Sequence, residues 1–250
     1  MKIVKIKKDY LRRIKKLTKF NESYYNKNKS LVPDADYDLL KEEIINLEKT
    51  YNFLDHKDSP SKIVGYKPSK TFKKLSHKVP MLSLSNAFTE EDLINFEKKI
   101  INYLDEKSSY EIEYSAEPKI DGISASLIYK KGKLITGLSR GDGRIGEDIT
   151  LNLKTISDIP KIITLKDFPE EIDIRGEVFI KNSDFKKLSN KFANPRNAAS
   201  GSLRQKNPED TKKIPLKFIA YTFGYEKGLK VKDQNEFLSK LNKWGFKINH

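Results

Sequence analysis

Apolar residues in the first fifty positions of the chain recur at steps of three and four, with polar residues between them. This spacing places the apolar side chains on one face of a helix. It predicts two amphipathic helices, and Asp34 is a suitable N-cap for the second. A third helix is predicted after Thr89, where acidic residues fill the first turn. The apolar positions of the first two helices are Ile3, Ile6, Tyr10, Ile14 and Leu17, then Tyr37, Leu40, Ile44, Leu47 and Tyr51.

After Asp105 the apolar period changes from helical to alternating. The stretch "ISASLIYKKGKLITGLS" alternates on either side of "KKGK", which predicts a β-hairpin, and "EIDIRGEVFI" and "PLKFIAYTFGY" predict further strands. Between Tyr51 and Pro80 the pattern breaks into Pro, Ser, Lys and Gly, as in a long connector. The predicted fold class is α+β, with a small helical N-terminal domain (1–70) followed by a domain built on antiparallel sheet (71–250).

Composition adds charge to this picture. The chain has 49 basic and 35 acidic residues, a formal net charge of +14 at pH 7, which favours encounter with nucleic acid or phosphate ligands. A solvated, Lys-rich surface gives the same charge without a binding role. The absence of cysteine excludes disulfides and thiolate zinc sites within these residues, and no apolar run reaches the length of a membrane span. We therefore expect an intracellular protein.

The first stretch with candidate chemistry is Lys119-Ile120-Asp121-Gly122, which the pattern places at the end of a strand. A lysine attacks a phosphorus or carbonyl centre as the neutral amine, which makes Lys119 a candidate nucleophile. Pro118 keeps Glu117 extended, and Gly122 permits the backbone to turn close to a ligand. In a Lys-rich chain these four residues also occur together by chance, so the string needs support from other stretches.

A second stretch, "SRGDGRIGEDIT" at 139–150, holds Gly141, Gly143 and Gly146 in the G-x-G-x-x-G spacing of a dinucleotide-binding loop. A Rossmann loop closes a parallel βαβ unit, whereas this one follows a predicted antiparallel hairpin. We therefore expect a glycine-rich loop that presents Arg140, and an oxidoreductase is the weaker alternative.

Arginine is rare in this chain and is placed unevenly. Only 7 of the 49 basic residues are arginines, and five of them fall in the stretches 139–150, 173–180 and 191–205. Arginine offers a planar, bidentate donor that lysine does not, so this placement indicates a site for phosphate groups. Arg175 and Glu177 alternate on a predicted strand, where such charges usually face solvent, and Gly176 leaves room for a ligand. Small residues between Arg196 and Arg204 let backbone amides approach a phosphate.

The predicted N-terminal domain contains a cluster of tyrosines and aspartates in "ESYYNKNKSLVPDADYDLL". Aromatic rings and carboxylates together suit a planar cationic ring. Tyrosines at helical spacing more often pack in a core, and that interpretation stays open. The cluster comprises Tyr24, Tyr25, Asp34, Tyr37 and Asp38.

Taken together, these stretches resemble the N-terminal part of the NAD-dependent, bacterial-type DNA ligases. The resemblance runs in order through "YYNKNKSLVPDADYDLL", "DSPSKIVGY", "HKVPMLSLSNAF", "EPKIDGISASLIY", "SRGDGRIGEDIT", "RGEVFI", "FANPRNAASGSLRQKNP" and "FIAYTFG". It implies an N-terminal domain that binds nicotinamide mononucleotide (NMN), followed by a nucleotidyltransferase domain of the ATP-grasp-like ligase type. It also implies that Lys119 attacks the α-phosphate of NAD, forms lysyl-AMP and releases NMN. The adenylate then passes to the 5′-phosphate of a DNA nick, which the 3′-hydroxyl seals.

The resemblance assigns further residues to the two halves of NAD. Tyr24, Tyr25, Asp34, Tyr37 and Asp38 are expected to hold the NMN half. The expected adenylate-binding residues are Ser83, Leu84, Glu117, Asp121, Gly122, Arg140, Glu177 and Tyr221, with Tyr221 stacked on the base. Arg196 and Arg204 are expected to contact phosphates of the nucleotide or of DNA.

The same resemblance implies NAD and nicked double-stranded DNA as partners, Mg²⁺ to offset phosphate charge, a monomer, and a cytoplasmic enzyme of DNA replication and repair. It leaves the metal ligands unknown. The family's D-G-V-V-x-K strand motif does not occur in these 250 residues, so we expect an adenylation domain that is C-terminally incomplete and ligates weakly or not at all alone. Two other interpretations stay open: a non-catalytic basic nucleic-acid-binding protein, and an inactive ligase fragment.

Overall fold

The computed structural model describes residues 2–27, 31–60, 62, 72–105, 111–188, 192 and 194–249, and it describes 2, 24–27 and 34 by their backbone alone. The chain forms two compact units. One unit comprises Met1–Met81 with Pro118–His250, and the other comprises Leu82–Glu117.

The N-terminal part of the first unit is a pair of packed helices, α1 (Lys2–Lys27) and α2 (Asp34–Thr50). The predicted apolar faces meet in a small core, except for Ile3, which is 61% exposed. The Tyr10 hydroxyl donates a hydrogen bond to Glu48 Oε1 at 2.6 Å. The prediction that Asp34 caps α2 is wrong, because Pro33 stands at the N-cap position and Asp34 is the first helical residue. The buried residues of this core are Tyr10, Ile14, Leu17, Leu40, Ile44 and Leu54.

The second unit, Leu82–Glu117, contains the helix α3 (Glu90–Leu104). Thr89 caps it as predicted: its hydroxyl accepts a hydrogen bond from the Asp92 backbone N–H, and the Asp92 carboxylate accepts one from the Thr89 backbone N–H. This reciprocal capping box satisfies two backbone donors that a helix start leaves without intrahelical partners.

The rest of the first unit is built on antiparallel sheet, as the alternating pattern predicts. The central sheet has the strand order β3-β2-β5-β6, and β1 pairs with β4 beside it. The hairpin turn between β2 and β3 uses Lys131 and Gly132, both at positive φ. The remaining elements are β1 (Lys74–Ser76), β2 (Ile123–Lys130), β3 (Lys133–Ser139), β4 (Ile145–Glu147), α4 (Thr150–Leu153), β5 (Glu171–Phe179), α5 (Asn182–Phe185), α6 (Pro195–Leu203), α7 (Pro208–Lys212), β6 (Lys217–Lys227) and α8 (Gln234–Lys243).

One face of the central sheet forms the hydrophobic core of this unit. Leu127, Ile174 and Phe218, from three adjacent strands, are fully buried together with Phe237 of α8. Gly176 lies on this face, where a Cβ would overlap the ring of Phe218 and the carbonyl oxygen of Ile219. The glycine between Arg175 and Glu177 therefore makes room for a neighbouring strand, and not for a ligand as its sequence position suggests.

Candidate functional site

The other face of the central sheet carries a row of polar side chains. In the β2–β5 register Ser124 lies opposite Glu177, and Ser126 lies opposite Arg175. The Ser124 hydroxyl donates to Glu177 Oε2 at 2.9 Å, and the Ser126 hydroxyl donates to Asp173 Oδ1 at 2.5 Å. Asp173, Arg175 and Glu177 are 4%, 7% and 9% exposed, so the prediction of a solvated charged face is wrong.

Arg175 is buried because a preceding segment of the chain lies over it. Its guanidinium donates to the carbonyl oxygens of Val79 and Pro80 and to Asp173 Oδ2. Gly224 leaves the space for this group, since a Cβ there would overlap the Arg175–Asp173 pair. All three of these partners belong to the chain itself. Arg175 therefore holds the preceding segment against the sheet.

Glu177 is the acidic centre of the site. Burial raises the pKa of its carboxyl group, while the hydrogen bond from Ser124 and the charges of Arg196, Lys119 and Arg140 lower it. The neighbouring Tyr221 on β6 has its pKa raised to about 12 by burial and by the charge of Glu177. The charges of Lys119, Arg140 and Arg196 therefore act on one buried carboxyl group.

Lys119 and Asp121 lie in the segment that leads into β2, and both side chains are exposed. Arg196, in the first turn of α6, donates from Nη1 to Asp121 Oδ1 at 3.1 Å. Gly122 is buried under β5, where a Cβ would overlap the carbonyl oxygen of Val178. Close packing of the strand accounts for this glycine.

The glycine-rich stretch is a tight connection between β3 and β4. Gly141 and Gly143 have φ of 60° and 89°, and the Asp142 carboxylate accepts hydrogen bonds from the backbone N–H groups of Arg144 and Ile145. Every strand pairing within the described ranges is antiparallel, so the parallel βαβ unit that a Rossmann loop requires is not found there. The loop presents Arg140, as the sequence predicts, and the oxidoreductase interpretation is wrong.

Arg204 has an internal partner as well. Its Nε lies 3.0 Å from Oε2 of Glu147, which is fully buried on β4. The Glu147 backbone N–H donates to the Ser139 hydroxyl at 3.0 Å, which fixes β4 against β3. Among the five arginines of the singled-out stretches, the charges of Arg140 and Arg196 act on Glu177, and Arg196 also pairs with Asp121. Arg175 and Arg204 form ion pairs within the fold, and Arg144 is exposed.

Sequence reasoning missed His77, which holds the base of the Arg140 loop. The ring is 8% exposed, and Nε2 lies 3.2 Å from the carbonyl oxygens of both Ser139 and Arg140. Burial lowers the pKa of the imidazole, so it is neutral at pH 7 and donates from Nε2. Ser124 was missed too, although the small residues at alternate positions of "ISASL" were a usable signal.

Three predicted site residues lie in the second unit. Ser83 and Leu84 are exposed in the segment before α3, and Glu117 is partly buried at the end of the unit. In the N-terminal cluster, the Tyr37 hydroxyl donates to Asn21 Oδ1 at 2.8 Å, and the ring packs against the helical core. Asp38 is partly buried, while the side chains of Tyr24, Tyr25 and Asp34 lie outside the described part.

The residues that the structure describes offer neither a metal-binding cluster nor a membrane-spanning helix. Within them, no three His, Cys, Asp or Glu side chains form a group that could hold a metal ion. No helix there has the length and apolar character needed to cross a membrane.

Two family models match adjacent parts of the chain. The model of the NAD-dependent DNA ligase adenylation domain matches residues 69–250, and that of the DNA ligase-like N-terminal NAD+-binding domain matches residues 4–65.

Similar full-length proteins carry the name DNA ligase. The protein from Pelagibacter ubique is 66% identical over 241 residues, which are 96% of this chain and 36% of the relative. Those from Parvibaculum lavamentivorans and Hahella chejuensis are 44% and 40% identical over 93% and 92% of this chain. The chain thus spans about a third of the length of these relatives (36%, 34% and 35%). With a family model covering most of the chain, it belongs to the NAD-dependent DNA ligase family.

Proposed function

We propose that this chain carries out the first step of NAD-dependent DNA ligation, in which Lys119 takes the adenylate group from NAD. The observation that carries the proposal is the position of Lys119. Its charge lowers the pKa of the buried Glu177 carboxyl group, as do the charges of Arg140 and Arg196, on the polar face of an antiparallel sheet. The match to the adenylation-domain model supports the same reaction.

The proposed step is a nucleophilic substitution at phosphorus. The lone pair of Lys119 Nζ forms a P–N bond with the α-phosphorus of the AMP half of NAD, and the Nζ proton passes to solvent. The pyrophosphate P–O bond breaks, and NMN leaves with the electron pair on its phosphate oxygen. Arg140 and Arg196 offer fixed positive charge close to this centre, where it offsets the charge of the phosphates.

The remaining polar groups of the sheet face have proposed roles in holding adenosine. Glu177 and Asp121 accept hydrogen bonds from hydroxyl or amino groups of the nucleoside, and Ser124 fixes the orientation of the Glu177 carboxyl group. The ring of Tyr221 offers a surface for stacking of the base, since it is next to Glu177 on the same face. Ser83, Leu84 and Glu117 are proposed to contact the same nucleoside, and Gly122 to belong to the same nucleotide site. Arg204 is proposed to contact phosphates of the nucleotide or of DNA.

The N-terminal helices are proposed to hold the NMN half through Tyr24, Tyr25, Asp34, Tyr37 and Asp38. The match of residues 4–65 to an NAD+-binding domain supports this assignment. We place the boundary between the two functional domains near residue 70, where the two family matches meet. The larger domain is proposed to be a nucleotidyltransferase of the ATP-grasp-like ligase type.

Nicked double-stranded DNA is the proposed acceptor of the adenylate, in a monomeric cytoplasmic enzyme of replication and repair. Mg²⁺ is the ion expected in such reactions, but the described residues offer no ligand cluster for it. Mg²⁺ in nucleotide sites is commonly held through substrate phosphates and one or two carboxylates, so no step is assigned to it here.

The test is covalent labelling of Lys119. Residues 1–250 are joined to the remaining part of the Pelagibacter ubique relative, so that the chain acts in a full-length ligase, and the hybrid is incubated with NAD labelled in the adenylate half. Mass spectrometry of peptides is expected to find one adenylate on Lys119. The Lys119→Ala variant is expected to form none, and the Lys133→Ala variant, which loses an exposed lysine of β3, the normal amount. An adduct on another residue would overturn the assignment.

A further inference from the structure

The two N-terminal helices carry opposite charge. Helix α1 has ten basic and two acidic residues among 26, a net charge of +8, whereas α2 has two basic and six acidic residues among 17, a net charge of −4. A composition that simply favoured lysine would load both helices. The lysines of α1 therefore need another explanation.

The charge of α1 is concentrated on one side of the helix. At 100° per residue, six basic residues fall within a sector of about 100°, centred opposite the side chains that pack on α2. All six are exposed, and no acidic residue falls in the sector. We call this surface the basic stripe, and it consists of Lys5, Lys8, Arg12, Lys15, Lys16 and Lys19.

The acidic residues of α2 do not neutralise the basic stripe. Contacts between the two helices use Arg13 with Glu43 and Tyr10 with Glu48, on the packed side. Within the stripe, Arg12 pairs with Asp9 at 2.6 Å. Among the described side chains, Lys5, Lys8, Lys15 and Lys19 are in no ion pair. These four lysines keep their charge available to an external partner.

We propose that the basic stripe binds the phosphate backbone of duplex DNA without regard to sequence. From Lys5 to Lys19 it is about 21 Å long at 1.5 Å per residue, which faces about six phosphates of one DNA strand at 3.4 Å of axis each. Five of its six members are lysines, which act as flexible point charges suited to phosphates and not as forks that read base edges.

A membrane surface is the other polyanion that a basic helix can bind. Helices that bind membranes also insert an apolar face between the lipids. The core-forming part of the apolar face, Tyr10, Ile14 and Leu17, is buried against α2, so it is not available for insertion. Among the described side chains of α1, the exposed large apolar ones are Ile3, Val4 and Leu11, none of which falls in the basic stripe. Charge complementarity, with the main apolar face buried, favours DNA.

This inference adds a DNA-binding surface to the proposed function, in which DNA is already the adenylate acceptor. It requires no nucleotide chemistry and uses a surface that does not include Lys119. The basic stripe contributes only to the affinity for DNA. Failure of the proposed adenylation would leave it intact, and removal of the basic stripe is expected to leave adenylate transfer to Lys119 unchanged.

The test compares three variants of the whole chain by fluorescence anisotropy with a labelled, intact 20-bp duplex. The first variant changes Lys8, Lys15 and Lys19 to Gln, the second changes the same residues to Arg, and the third is a matched control that changes Lys230, Lys232 and Lys243, all exposed, to Gln. The salt concentration is varied from 50 to 200 mM. Circular dichroism and thermal unfolding establish that each variant keeps its helices.

The loss of three phosphate contacts is expected to reduce the slope of log affinity against log salt by about 2.7. The affinity advantage of the unmodified chain over the first variant is then about 40-fold greater at 50 mM than at 200 mM. The Arg variant is expected to match the unmodified chain, and the control to keep nearly its full slope.

Three results would overturn the proposal. Equal loss in the first variant and the control would mean that net charge alone attracts DNA, and no loss in the first variant would mean that the stripe does not contact it. Vesicles of phosphatidylglycerol and phosphatidylcholine provide the third comparison: loss of vesicle binding with unchanged duplex binding would assign the stripe to a membrane.

Discussion

The buried Arg175 offers a quantitative test of how the polar face of the sheet is held. Arg175→Met keeps the length of the side chain but removes the guanidinium that bonds the carbonyl oxygens of Val79 and Pro80. It also leaves Asp173, which is 4% exposed, without its cation at 3.0 Å. Of the hydrogen bonds described above that the Asp173 carboxylate accepts, the one from the Ser126 hydroxyl is then left.

Removal of one member of a buried ion pair costs about 3–5 kcal/mol, because the remaining charge is left uncompensated. With a urea m-value of about 2–3 kcal/mol/M, the midpoint of unfolding is expected to fall by about 1–2 M. If the charge of Asp173 is the main cause, then Asp173→Asn in the same chain should recover a large part of the loss. The asparagine keeps an oxygen that can accept from Ser126 and carries no charge.

The assay is urea unfolding followed by tryptophan fluorescence, since Trp244 is buried in the core of the same unit. Arg144→Met is the matched control, because Arg144 is exposed, and it is expected to change the midpoint little. A loss below about 1 kcal/mol for Arg175→Met would refute the argument. So would a double variant that is less stable than Arg175→Met alone.

Two further predictions concern the site itself. Burial raises the pKa of Glu177 above its ordinary 4.5, so the folded chain keeps the proton to higher pH than the unfolded chain does. The stability of the unmodified chain should therefore fall relative to Glu177→Gln as the pH rises from 4.5 through the raised value, measured by thermal unfolding across a pH series; parallel curves for the two proteins would contradict this. Gly122→Ala is expected to lose about 1–3 kcal/mol, because the new methyl group overlaps the carbonyl oxygen of Val178, and a urea midpoint equal to that of the unmodified chain would contradict the packing described.

The elements of this fold that depend on local pattern could be predicted from the sequence. The alternation on either side of "KKGK" predicted the β2–β3 hairpin, and the structure turns it at Lys131 and Gly132. The capping residue Thr89 and the apolar faces of α1 and α2 were also predicted. In each case the residues that decide the structure lie within a few positions of one another.

The contacts that bury charge could not be predicted in this way, because they join distant parts of the chain. Arg175 meets Val79 across 96 positions, and His77 meets Ser139 across 62. An alternating strand pattern shows that Arg175 and Glu177 share a face, but it does not show which segment covers that face. The start of α2 was predicted one residue too late, with Asp34 and not Pro33 as the N-cap. Both residue types are common at the start of a helix, so the sequence does not distinguish the two positions.

The central claim is that Lys119 is the residue that becomes adenylated, and peptide mass spectrometry of the hybrid ligase after incubation with NAD tests it most directly. The account predicts one adenylate on Lys119, none in Lys119→Ala, and an undiminished amount in Lys133→Ala. An adenylate that persists in Lys119→Ala, or its absence from the hybrid while the intact Pelagibacter ubique relative acquires one under the same conditions, would contradict it.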